Sequence, residues 1–335
     1  MKTGKAAGID KIANEYIKAS INKLLPIYVY LFNKVLDSGE IPNDWSVGLI
    51  VPLYKKQGNA SDPSNYRGIT LLSCVGKMFT MLLNERLTTF IDNNNLMSQN
   101  QAGFRKGYST IDHIFLFKQI IELFRFKKTK LFCAFIDYQK AFDTVWREGL
   151  WYKMDKLYNI KGKILTVIKN LYSNIKSCVF VGGERSEFFE SLTGVRQGEN
   201  LSPLLFSLFV NDLEAYLSQK GPITLDFKDD EISNYLNLLI ILYADDTVIL
   251  SNSAKDLQQS LNNLESYCLD WRLKVNPNKT KITIFGGRKV KKDKYNFKYD
   301  GKDIEQVDQF KYLGIVFKFN GNFDLCKKKP AGTSI

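Results

Sequence analysis

Residues 235 to 250, YLNLLIILYADDTVIL, restrict what this chain can fold into more than any other stretch. An apolar run is broken by Tyr243, Ala244, Asp245 and Asp246 and then resumes. Apolar segments on both sides of a short polar break predict a β-hairpin, with Leu238 to Tyr243 as one strand, Thr247 to Leu250 as the other and the acids at its tip. Adjacent carboxylates between buried strands are costly, because desolvation and mutual repulsion both favour protonation. A divalent cation offsets that cost. Mg²⁺ would ask for a further carboxylate from elsewhere and take its remaining oxygens from phosphate and water. Asp is also a favoured turn residue, so the pair taken alone also fits a simple turn.

The chain is 335 residues long, enough for a large core and two or three subdomains. Its 47 Lys and Arg against 35 Asp and Glu give a formal charge of +12. That excess favours a polyanionic partner, nucleic acid before membrane, the competing reading being an unspecialised basic surface. Cys74, Cys133, Cys178, Cys268 and Cys326 are far apart, and no CxxC pair occurs. The single histidine, His113, has no companions for a zinc site or for nucleophilic catalysis, and a reducing compartment fits. The opening MKTGKAAGID has no apolar run that could be a signal peptide. No stretch reaches the roughly 20 apolar residues of a membrane span, so a soluble chain with no membrane partner is expected.

Along the chain, residues 12 to 36 carry apolar residues near helical period, stop at Asp37-Ser38-Gly39, and are open to division at Pro26. WSVGLIVPLYKK (45 to 56) reads as a strand, followed by a polar loop and then a long amphipathic helix within 69 to 91. Lys55, Lys56 and Arg67 flank that loop as candidate phosphate contacts, with solvated surface charge as the alternative. AGFRKGYSTIDHIFLFKQIIELF (102 to 124) gives a basic turn and then a helix capped by Ser109 or Thr110. LFCAFID (131 to 137) is a fully apolar strand ending in Asp137, a carboxylate at the mouth of a sheet where ligands are met. Asp143 is expected to cap the helix that follows rather than bind metal. KSCVFVGGERSEFFESLTG predicts a hairpin at Gly182-Gly183, and VRQGENLSPLLFSLFVNDLEAYL a polar turn and then a helix entered at Ser202-Pro203. A polar insertion (221 to 234), a helix within 254 to 273, a strand headed by Lys279 and Lys281, a basic turn (288 to 294) and short strands ending in YLGIVF complete the order.

Two acids on a hairpin and one at the end of a separate buried strand suit two-metal phosphoryl transfer. One ion would lower the pKa of an attacking hydroxyl, while the other would hold a triphosphate and stabilise the leaving oxygen. Basic residues would neutralise the phosphates, and no nucleophilic side chain is needed.

Read together, GKAAGID, SNYRGITLLSCVGKMF, NQAGFRKGYSTIDHIF, AFIDYQKAFDTVW, GVRQGENLSPLLFSLFVNDL, YADD, VNPNKTK and YLG resemble the reverse transcriptase domain of non-LTR (LINE-type) retrotransposons, from about residue 5 to 317. The likeness to group II intron maturases is more distant. The resemblance implies an α+β right-hand polymerase fold. Residues 1–130 would be fingers with N-terminal helices, 131–320 palm with an antiparallel sheet packed on helices, 176–198 partly their junction, and 321–335 an unstructured or truncated tail, the thumb being missing or truncated. It implies primer extension with dNTPs by two Mg²⁺ ions, with Mn²⁺ as a possible substitute.

By the same resemblance Asp137, Asp245 and Asp246 are the metal-binding catalytic acids, Asp246 the least direct ligand. Phe142 is the aromatic under the incoming sugar, where a 2′-hydroxyl would overlap the ring. Lys55, Lys56 and Arg67 would hold the triphosphate, and Lys279 or Lys281 would lie near the leaving phosphates. Gln197 and Gly198 would form the turn beside nucleotide and template, glycine permitting close approach. Arg105 and Lys106 would follow the template through phosphate and 2′-hydroxyl contacts. Repeated Tyr and Phe could stack on exposed bases, yet of 17 Tyr and 23 Phe most must be ordinary core and surface residues. The implied partners are an RNA template, a DNA primer and dNTPs. The family's endonuclease and its thumb and C-terminal regions would come from a longer product, so the chain is expected to be a fragment or decayed copy. A nuclear or cytoplasmic location follows from the family alone. The rival functions are a noncatalytic RNA-binding remnant and a maturase-like splicing cofactor.

Overall fold

The computed structural model describes residues 1–56, 58–219, 240–243, 245–286 and 294–325. The polar insertion and most of the basic turn, as well as the tail beyond 325, lie outside the described residues. The chain forms two compact units that interleave in sequence, residues 1–97 with 142–209 and residues 98–141 with 210–335, where the sequence reading divides it at 130/131 and 320/321 with 176–198 partly a junction.

The first unit opens with one helix, Asn14–Ser38, which contains Pro26 without being divided by it. Proline removes one N–H and crowds the preceding turn, but here the helix runs on through it and ends at Gly39, whose φ of 74° suits a left-handed cap. Among its apolar residues Ile17, Phe32 and Val35 are buried, while Leu25, Ile27 and Tyr30 face solvent, so the apolar stripe reaches the core only towards its ends. A five-stranded sheet follows. Val47–Tyr54 pairs antiparallel with Tyr66–Leu71 and parallel with Lys176–Val181. Lys176–Val181 turns at Gly182-Gly183, both at positive φ, into Glu184–Arg185, as the Gly-Gly pair predicts. The long helix Cys74–Asn93 starts at Ser73, whose hydroxyl accepts from the Gly76 N–H.

The second unit is built on a six-stranded sheet in the order Phe297–Tyr299, Lys302–Gln306, Lys281–Phe285, Leu131–Ile136, Asp246–Ser251, Ile240–Tyr243. All six residues of Leu131–Ile136 are buried, which explains why that strand is apolar without alternation. The sheet is not purely antiparallel as expected, because Lys302–Gln306 joins Lys281–Phe285 in parallel through Glu305 and Lys281. Helix Thr110–Phe126 covers one face. Its start is a capping box in which the Ser109 side chain and backbone are matched by Asp112. Phe117, Ile120, Ile121 and Phe124 pack on Phe135, Val248, Leu250 and Phe285. A three-stranded sheet, Gln309–Tyr312, Ile315–Lys318 and Phe323–Leu325, closes that core with Phe317, whose ring meets Phe117 edge-on at 4.9 Å. Each such fully buried aromatic or aliphatic side chain contributes roughly 1.5–3 kcal/mol.

Candidate active site

In the second unit, strand pairing decides where the acids go. The last cross-strand pair between Leu131–Ile136 and Asp246–Ser251 is Ile136 with Thr247. Asp137 follows Ile136 and Asp246 precedes Thr247, so both carboxylates leave neighbouring strands at the same sheet end. Asp246 is itself the first residue of its strand, paired with Tyr243, and Asp245 occupies the turn.

These groups feel one another. Burial pushes the Asp137 carboxyl up, the Lys279 ammonium draws it back down, and the charge of Asp245 raises it again. Asp246 reaches solvent but is flanked by enough protein that desolvation, followed by the charges of Asp245 and Asp137, pushes it up to about 6. Burial is the larger cause for both groups, and the neighbouring carboxylate charges add to it. Among the described residues no three His, Cys, Asp or Glu side chains are grouped closely enough to hold a metal ion as they stand.

The loop before Lys281–Phe285 brackets the central acid. The Asp137 N–H donates to Thr280 Oγ1 at 3.1 Å, and the Asn276 N–H donates to the Asp137 carbonyl at 2.7 Å. The two candidate lysines differ. Lys281 Nζ pairs with Glu305 at 2.7 Å and also donates to the Asn278 carbonyl, whereas the Lys279 charge acts on Asp137. Arg105 does not reach outward as a template contact would. Its Nη1 donates to the carbonyls of Ser98 and Gln101, and its guanidinium lies 4.4 Å from the Tyr108 ring centroid, so it holds its own loop while Lys106 is exposed.

His113 is buried at 5% exposure, edge-on to Tyr243 at 6.1 Å, with no partner on Nδ1. Burial lowers its pKa from 6.5, with Asp112 opposing more weakly. The unfolded chain therefore binds the proton more readily, so the stability that neutral His113 contributes is present above about pH 6.5 and is lost as pH falls below it. Comparing urea unfolding at pH 7 and pH 5, wild type should lose more stability than His113→Phe. Equal losses would remove His113 as a source of acid sensitivity.

In the first unit, Lys55 and Lys56 lie exposed in the turn after Val47–Tyr54, and Arg67 is exposed on the partner strand opposite Leu53. That strand also meets the Gln197 turn, since the Thr70 N–H donates to the Gln197 carbonyl at 3.1 Å. Gly198 has a φ of 102°, and a Cβ there would lie 2.9 Å from the Thr70 carbonyl oxygen. The protein's own strand therefore demands glycine at this position before any ligand does. Phe142 is half-buried and stacks on Phe206 with centroids 4.9 Å apart.

Asp143 is not the cap of the helix that follows. The next helix begins at Arg147 with Trp146 at its N-cap and no side-chain bond, and the Asp143 carboxylate instead accepts from Gln197 Nε2 at 3.2 Å. A capping preference in the sequence was overridden because the chain makes further turns before entering the helix. Sequence reasoning missed Arg147, Tyr172, Arg196 and Glu199, all buried in this unit. The available signal was the arginine and glutamate three apart around Gln197-Gly198, in a turn whose polarity suggested solvent.

A family model described as reverse transcriptase (RNA-dependent DNA polymerase) matches residues 54–317. The chain belongs to the reverse transcriptases. A probable RNA-directed DNA polymerase from transposon BS of Drosophila melanogaster is 31% identical over 93% of this chain and 34% of its own length. The RNA-directed DNA polymerase from mobile element jockey of the same fly is 29% identical over 93% of this chain and 33% of its own. This reverse transcriptase domain, of the non-LTR retrotransposon type, thus spans about a third of the length of these curated relatives. In fold it is similar to apo telomerase from Candida tropicalis truncated from the C-terminal domain, with a TM-score of 0.57, 12% identity, and coverage of 88% of this chain and 59% of the other. Among the described residues, no helix of the domain is long and apolar enough to cross a membrane.

Proposed function

We propose that the domain extends a DNA primer on an RNA template with deoxynucleotides. The observation that carries this reading is the register that brings Asp137 and Asp246 to flank one terminal cross-strand pair, with Asp245 in the adjoining turn. The six-stranded sheet would serve as palm and the five-stranded sheet as part of the fingers.

The donor set fits magnesium, being hard carboxylates at the ends of neighbouring strands and in the adjoining turn. Asp137, Asp245 and Asp246 would hold Mg²⁺, or Mn²⁺ in its place. The ions' contribution would be to acidify the primer 3′-hydroxyl and stabilise the leaving pyrophosphate. Lys279 rather than Lys281 would add positive charge beside that centre. Arg67, Lys55 and Lys56 would bind the triphosphate, Gln197 and Gly198 the nucleotide side of the template, and Lys106 the template backbone. The site of action would be chromosomal DNA in the nucleus.

Purified protein given primed RNA, dNTPs and Mg²⁺ should incorporate nucleotide. Salt-sensitive RNA binding without any incorporation would favour a noncatalytic remnant. A more specific test concerns Phe142, whose ring is held by Phe206 and would exclude a 2′-hydroxyl by overlap. Phe142→Val should raise ribonucleotide use relative to deoxynucleotide by roughly 10- to 100-fold. Equal discrimination in variant and wild type would dismiss the steric role.

A further inference from the structure

Behind the Gln197 turn lies a buried polar cluster that the chemistry above leaves without a task. Arg196 and Glu199, 7% and 5% exposed, bracket Gln197-Gly198 and form a two-point ion pair, Nη2 to Oε1 at 2.8 Å and Nε to Oε2 at 3.4 Å. The Tyr172 hydroxyl donates to Glu199 Oε2 at 2.6 Å and lies 3.2 Å from Ser202 Oγ. Arg196 Nη1 donates to the Trp45 carbonyl at 2.7 Å. The Arg147 and Arg196 guanidinium carbons lie 5.3 and 5.5 Å from the Tyr172 ring centroid, so one ring meets two cations. A buried ion pair is poor value as a source of stability, because desolvation cancels much of its attraction, but it fixes geometry tightly.

What it fixes is specific. The Val195 N–H donates to the Phe142 carbonyl at 2.7 Å, and the Gln197 carbonyl accepts from Thr70. The Gln197 amide is held as well. An ionised carboxylate only accepts, so Gln197 must turn its Nε2 to Asp143 and present Oε1 away from it. The backbone of Phe142 and both ends of Gln197 are thus set by groups on the protein side of the turn.

We propose that the Arg196–Glu199–Tyr172 cluster, with Asp143, is a positioning device for sugar discrimination, holding Phe142 and Gln197 in place through contacts that never meet the substrate. The proposal rests on the polymerase reading above. It makes Tyr172, Glu199 and Arg196 positioning residues, and their loss should blur the choice of sugar before it stops synthesis.

The test uses the whole chain with Tyr172→Phe, which removes the hydroxyl donor to Glu199 and keeps the ring that meets both guanidiniums. Two quantities are read: the ratio of ribonucleotide to deoxynucleotide incorporation on primed RNA, and hydrogen exchange at the Thr70 and Val195 amides. Both should rise about 10- to 100-fold, the size expected from losing one charge-assisted hydrogen bond. Asp143→Asn is the second variant, exposed and therefore safe for folding. An amide at 143 no longer dictates which way Gln197 faces, and the incorporation ratio should rise in the same direction. Unchanged exchange in Tyr172→Phe means the cluster does not hold the turn and overturns the proposal whether or not the protein polymerises. Faster exchange with an unchanged ratio in both variants overturns the discrimination claim. A wild type that extends no primer defeats the polymerase reading, and the discrimination claim with it, while the exchange data still report separately on the cluster's grip.

Discussion

Asp245→Asn should lower deoxynucleotide incorporation on a primed RNA template by roughly 1,000-fold or more, while the protein stays folded. Asparagine preserves the shape of the turn but removes one negative charge and one strong oxygen donor from a hard-cation site. The same substitution relieves repulsion, because the charge of Asp245 is among the causes that raise both Asp137 and Asp246. Stability should therefore hold or rise slightly as activity disappears. That separation is the informative part of the result. Primer extension with purified variant and wild type, alongside urea unfolding of each, measures both sides. Incorporation indifferent to Asp245→Asn would mean that whatever extends the primer is not this site.

The largest expected effect on folding is at Arg147, which no chemistry requires. The residue is 8% exposed, and its guanidinium donates to the carbonyls of Gly194 at 2.8 Å, Tyr172 at 3.0 Å, Ser191 at 2.8 Å and Thr193 at 3.0 Å. Those carbonyls belong mostly to the loop that leads into Val195 and the Gln197 turn, where no regular ladder satisfies them. Arg147→Ala removes the guanidinium from all four, leaving the Thr193 carbonyl only a long bond from the Ser191 hydroxyl, and should cost about 3–5 kcal/mol, read as a lower urea midpoint with an unchanged slope. Arg147→Lys should recover only part of this, since an ammonium cannot fan across four acceptors as a planar guanidinium does. A loss below about 1 kcal/mol for the alanine variant would show that water replaces the guanidinium at little cost.

Several elements were legible without coordinates because a short-range signal specified them. The fully apolar Leu131–Ile136 segment announced a strand covered on both faces, and Ser109 or Thr110 announced a helix start, which the structure places at Ser109. The Gly182-Gly183 pair marked a hairpin turn. Other expectations failed where a local preference met a longer-range demand. Pro26 did not divide its helix, and Asp143 bonded across to Gln197 instead of capping Arg147–Tyr152. Lys279 and Lys281 are indistinguishable in sequence. They separate only because Glu305, arriving on a parallel strand, claims the second.

By itself the sequence determined the family, the hairpin with its paired acids and the isolated carboxylate at the end of a buried strand, since residue type and period act over a few positions and need no fold to be visible. Only the tertiary structure decided that Ile136 and Thr247 would be the last pair, and hence that Asp137 and Asp246 would emerge side by side. It alone also turned Arg147, Arg196 and Glu199 inward, because a charge is expelled or buried according to the partners that distant parts of the chain bring to it.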